Sequence, residues 1–159
     1  MKVLLVVAEY VSVSQDGTFG MLRGGLNRVQ VPRYPSVVPL GFLVRIEAEF
    51  GEEGEHDFKL VLVDYDGKDL AKAEGKFQIR REQRLVNMGI NMPIKVESPG
   101  SISARLIIDR QAQADWGLEL LPPTAPEGPG GLADGPPGGP PGGFEPPSGG
   151  FEPPRPFGN

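Results

Sequence analysis

The sequence predicts an all-β fold: an antiparallel β-sandwich of about eight strands, jelly-roll or immunoglobulin-like, followed by a disordered Pro/Gly-rich C-terminal tail. Three observations predict it. Apolar residues recur at every second position through much of the first 121 residues, and turn residues separate these runs at short intervals. No ten-residue stretch there carries helical periodicity. From Pro122 onward, 24 of 38 residues are proline or glycine, leaving too few apolar side chains to offset the entropy of ordering the chain. The expected organisation is therefore a folded domain over 1–121 and a tail over 122–159.

Val3 to Val11 is almost continuously apolar, which fits a strand in the middle of a sheet better than one at its rim. The run is not a secretory segment, because Glu9 ends it below the roughly 7–15 apolar residues that such a segment needs. Phe42, Val44, Ile46, Ala48 and Phe50 alternate with Leu43, Arg45, Glu47 and Glu49, giving one apolar and one largely charged face. Phe58 to Val63 resembles the opening run. Ala71, Ala73, Gly75, Phe77 and Ile79 form another alternating set, as do Ile102, Ala104, Leu106 and Ile108. Ile90, Met92, Ile94 and Val96 alternate too, but Pro93 lacks a donor and points to an edge strand or a bulge. Trp116, Leu118 and Leu120 close the domain.

Turn chemistry separates these runs. Gln15-Asp16-Gly17-Thr18 and Tyr65-Asp66-Gly67-Lys68 place Asp-Gly between strands, as in a type I′ hairpin with positive φ at both centres. Ser98-Pro99-Gly100 is a third turn. Helix is confined to about one turn near Arg80 to Leu85.

Composition narrows the function. The net charge of −5 supplies no basic footprint for a phosphate backbone, so nucleic acid is not an expected partner. Without cysteine there is no disulfide framework, thiolate zinc site or cysteine nucleophile, which fits a reducing cytoplasm. No segment approaches the roughly 20 apolar residues of a membrane helix.

Candidate chemistry is sparse. His56, the single histidine, sits in the acidic stretch Glu52-Glu53-Gly54-Glu55-His56-Asp57 and reads as part of a solvated hairpin loop. No Gly-x-Ser-x-Gly elbow exists to make it a triad base. Asp64, Asp66 and Asp69 lack the spacing of a calcium loop, and hairpin chemistry accounts for Asp66-Gly67. Gly24-Gly25 lacks a phosphate-loop context, and Arg80, Arg81 and Arg84 read as a solvated connection. No metal or cofactor is expected, and no enzymatic activity.

The tail repeats a short unit, Gly143-Phe144-Glu145-Pro146-Pro147 and then Gly150-Phe151-Glu152-Pro153-Pro154, with Phe157 near its end. Extended proline-rich segments lose little entropy on docking. Phe144, Glu145, Pro146, Pro147, Phe151, Glu152, Pro153, Pro154 and Phe157 are therefore the candidate partner-binding residues.

Met1-Lys2-Val3-Leu4-Leu5-Val6, Gln15 to Phe19 and Leu22-Arg23-Gly24-Gly25-Leu26-Asn27-Arg28-Val29 together resemble an uncharacterised family of small bacterial β-sandwich proteins, a domain of unknown function. Val63 to Gly67, Ser98-Pro99-Gly100 and Leu106-Ile107-Ile108-Asp109 are similar to its later landmarks. The resemblance implies a bacterial, cytoplasmic β-sandwich and carries over no activity or site residues.

The expected function is a non-enzymatic protein-interaction or structural module whose tail tethers or recognises. Exposed strand edges extend the expected partners to further copies of the chain. The alternative is a carbohydrate-binding sandwich in which Trp116, Tyr10, Tyr34 or Tyr65 stacks on a sugar. An enzyme built on a scattered pair of carboxylates is the third reading.

Overall fold

Ten strands and no helix occupy residues 1–124, the part of the chain that the computed structural model describes. They are β1 (Lys2–Ala8), β2 (Tyr10–Val13), β3 (Phe19–Leu22), β4 (Arg28–Gln30), β5 (Ser36–Glu47), β6 (Gly54–Asp64), β7 (Asp69–Ile79), β8 (Leu85–Val96), β9 (Gly100–Ile108) and β10 (Gln111–Leu121). The chain divides into two units, Met1–Ala125 and Pro126–Asn159; all ten strands belong to the first.

The strands form a three-stranded sheet in the order β1-β5-β8, a five-stranded sheet in the order β4-β10-β9-β6-β7, and the β2–β3 hairpin. Every pairing is antiparallel except that of β4 with β10, which is parallel. Both larger sheets feed one apolar core. Phe42, Val44, Ile46 and Ile94 come from the first sheet and Leu60, Leu62, Ile79, Leu106 and Ile108 from the second, all at most 1% exposed. Alternation produces this arrangement, because residues two apart on a strand share a face.

The opening apolar run differs from its expected form. It breaks at Glu9 into β1 and β2, and β1 lies at the rim of its sheet with β5 as its one neighbour. Cover for its second face comes from the β2–β3 hairpin, which folds back so that Val11 joins Ala8 and Leu43 in a small cluster of its own, flanked by Val6 and Val13.

Glycines make that fold-back feasible. A Cβ on Gly41 would sit 2.8 Å from the backbone of both Tyr10 and Val11, and one on Gly89 would sit 3.1 Å from the Val11 and Val13 side chains. Asn91 fastens the hairpin: its amide donates to the Val11 carbonyl at 2.6 Å and its oxygen accepts from the Val11 N–H at 2.9 Å.

The remaining strands follow their patterns with particular corrections. Pro93 lies on an edge strand, opposite Pro39, as its missing donor requires. Another edge strand, β7, carries outward Lys72, Glu74 and Lys76, charges that discourage pairing with another chain. Phe50 does not continue the apolar face of its strand. It is 82% exposed beyond the end of β5, with the Arg84 guanidinium 3.5 Å from its ring centre. Arg80 to Gln83 form a turn closed by Gln83 N–H to the Arg80 carbonyl at 3.0 Å, not a helical turn.

The Asp-Gly turns are not type I′ either. Positive φ falls on Gly17 and Gly67 alone, while neither aspartate has it. Hydrogen bonds from Gly17 to Ser14 and from Gly67 to Asp64 close turns that end in a glycine bulge. The pair with two positive φ values is Asp109-Arg110, at 49° and 67°, in the turn joining β9 to β10.

Candidate functional site

Two cavities and one side-chain cluster stand out among the described residues. The cluster centres on His56, which lies within β6 rather than in a solvated loop. Its side chain is 15% exposed and stacks on Phe77, with ring centres 5.3 Å apart. Nδ1 lies 2.6 Å from an Asp109 carboxylate oxygen and Nε2 lies 3.0 Å from the Glu52 carbonyl. With both ring nitrogens facing acceptors, the imidazolium is favoured, and the Asp109 hydrogen bond raises the His56 pKa while holding the Asp109 carboxyl low. The second Asp109 oxygen accepts the Asp57 N–H at 3.1 Å, so this pair ties the β9–β10 turn to the start of β6.

The smaller cavity, about 360 Å³, lies between the turn after β6 and the turn before β9. The aspartates there serve the turn. Asp64 accepts from the Asp66 and Lys68 N–H groups at 3.0 and 2.8 Å. No group of three or more metal-ligating side chains gathers among the described residues.

The larger cleft, about 680 Å³, opens where β1 leaves its sheet. β1 pairs with β5 over Gly41 to Glu47, so residues 36–40 of β5 have β8 on one side and no strand on the other. Across the gap, β4 pairs with β10 on one side and is open on its second. Two unpaired strand edges thus face one space. Its apolar lining includes Tyr10, Leu22 and Val37, which are 55%, 58% and 62% exposed. Opposite each other in the hairpin, Tyr10 and Leu22 are held at the mouth. Arg23 and Arg28 border the cleft, paired with Glu9 at 2.6 Å and Glu119 at 3.0 Å.

The residues matched by the model of the Family of unknown function (DUF6941) are 3–120, which take in the whole cleft and all ten strands but for the end residues Lys2 and Leu121. The chain belongs to the DUF6941 family. No curated protein matches it. The cleft thus lies inside the DUF6941 domain, whereas the tail begins after the matched residues. Phe144, Glu145, Pro146, Pro147, Phe151, Glu152, Pro153, Pro154 and Phe157 all lie outside the described residues.

The aromatics considered for sugar stacking do not form one platform in this DUF6941 domain. Trp116 donates its ring N–H to the Leu26 carbonyl at 2.6 Å, and Tyr34 its hydroxyl to the Leu121 carbonyl at 3.0 Å. Both rings pack against the core. Tyr10 lines the larger cleft and Tyr65 the smaller cavity. Arg84, from the basic cluster, covers Phe50 and lies 3.6 Å from Glu53. Sequence reasoning missed the cleft because a strand's departure from its sheet is a property of long-range pairing. The one local sign was Glu9 interrupting the opening run.

Proposed function

We propose that this DUF6941 domain is a non-enzymatic protein-interaction module that accepts an extended segment of a partner in the cleft between β4 and β5. The observation that carries the reading is the pair of open strand edges beside exposed Tyr10, Leu22 and Val37. An added strand gains main-chain hydrogen bonds from such an edge and side-chain specificity from the apolar wall. The strand order supports an immunoglobulin-like sandwich, with β1-β5-β8 in the places of strands A, B and E and β10-β9-β6-β7 in those of G, F, C and C′. A bacterial cytoplasmic setting belongs to the same reading through the resemblance to small bacterial sandwich proteins. Carbohydrate binding has less support, since two of its four aromatics are fastened to backbone carbonyls.

The test is capture by the tagged full chain from a lysate of its source, compared with Val37→Asp. Val37 is exposed, so the substitution leaves the core untouched. The expected result is a defined set of proteins retained by the wild type and lost by the variant. Identical sets from both would exclude the cleft as the binding surface.

A further inference from the structure

Resting on that reading of the cleft, we propose that its occupant is the Phe-Glu-Pro-Pro stretch of a second copy of this chain. The cleft has an apolar wall that reaches its mouth, bordered by basic side chains of which Arg23, Arg28 and Lys95 pair with Glu9, Glu119 and Glu97. Tyr10, Leu22, Val37 and Pro39 supply the apolar wall, and Arg23 and Arg28 lie beside them. Arg33 and Lys95 line the adjoining hollow, which shares Ser36 and Val37 with the cleft. Arg33 makes no ion pair among the described residues.

Residues 122–159 have the opposite character. They contain four carboxylates, Glu127, Asp134, Glu145 and Glu152, against the single Arg155. In each repeated unit a glutamate directly follows the phenylalanine, so one short segment offers an aromatic anchor and an adjacent negative charge. A cleft of about 680 Å³ falls within the roughly 300–1,000 Å³ of pockets that take small organic ligands, room enough for one phenylalanine side chain. The following prolines prefer an extended backbone, which reduces the ordering cost of docking. Because one proline of each adjacent pair turns its missing N–H toward the strand edge, main-chain pairing falls to the residues around Phe144 and Phe151 and not to the prolines.

Each chain therefore carries one cleft and two anchors seven residues apart, Phe144 and Phe151. Contacts between a cleft on one copy and an anchor on the next are head-to-tail, and such contacts propagate instead of closing as a twofold dimer does.

Sedimentation velocity of the full chain over a wide concentration range tests this. The expected result is a mass that climbs with concentration past the dimer. Association weakens about 30-fold or more in Phe144→Ala/Phe151→Ala, as on truncating a hot-spot aromatic, and a synthetic peptide spanning residues 142–155 dissolves the assembly. Val37→Asp also returns the protein to monomer, with Leu22→Asp in its place if circular dichroism shows that the first variant is unfolded. A monomer at every concentration overturns the proposal, as does assembly indifferent to the loss of both phenylalanines. In either case, capture of a partner that Val37→Asp abolishes leaves the interaction reading standing. Capture and assembly both unaffected by Val37→Asp remove the two together.

Discussion

His56 and Asp109 hold an ion pair across 53 positions of sequence, and its two halves titrate in opposite senses. The histidine's pKa is raised above its ordinary value of 6.5. Its contribution to stability is therefore complete below that value and is lost as pH rises through the higher folded value. The Asp109 carboxyl is held below its ordinary value of 3.8, so its contribution is complete above that value and is lost as pH falls through the lower folded one. Stability from the pair is greatest between those two ordinary values. His56→Gln should flatten the decline in denaturant midpoint as pH rises above 6.5, and parallel wild-type and variant curves would rule the pair out as its source. A second residue-scale prediction concerns Asn91. Its removal in Asn91→Ala leaves the Val11 N–H and carbonyl without their partner, at a cost of about 1–3 kcal/mol. Urea unfolding measures that cost, and faster amide exchange at Val11 locates it. Neither residue's role was legible in the sequence. The polar stretch around His56 reads as loop, and its acceptor and the strand beneath Asn91 are both brought in by distant pairing.

Turns and strands diverged in how openly they declared themselves. Half-buried strands were legible because one face meets the core and the other water, so Ile102, Ala104, Leu106 and Ile108 are all buried on a two-residue period. β1 was misplaced because a continuous apolar run signals two covered faces without saying what covers the second. Here the β2–β3 hairpin does so. The Asp-Gly turns were legible as turns, but their type depends on the aspartate's φ. The Asp109-Arg110 turn contains no glycine to advertise it. Arg110 occupies a left-handed conformation at φ 67° that glycine adopts freely. Arg110→Gly is therefore expected to stabilise by about 0.5–1 kcal/mol, relief of left-handed strain exceeding the added chain entropy. Gly67→Ala, at φ 78°, should do the reverse by about 1–2 kcal/mol. Chemical denaturation of the two variants checks both signs, and agreement in direction between them would contradict the assignment.

The core draws on residues up to Leu120, so the chain ended after Thr124 should keep its far-ultraviolet spectrum and melt within about 2 °C of the full chain, below the roughly 3–6 °C that 1 kcal/mol moves a domain between the small and middle size classes. A drop well beyond that range would show that the tail contributes to folding stability. The all-β class was readable because it sums many local alternations. Strand order was not, because partners such as β5 and β8, or β4 and β10, lie tens of residues apart and sequence pattern carries no address for them. The parallel pairing of Arg28–Gln30 with Glu119–Leu121 also bears on how the polypeptide matures during synthesis. Its closing strand is among the last parts of the domain to be made, so the five-stranded sheet cannot be completed until translation has passed Leu121. Until then β9 keeps an unpaired edge, the kind of surface on which a nascent chain misassembles.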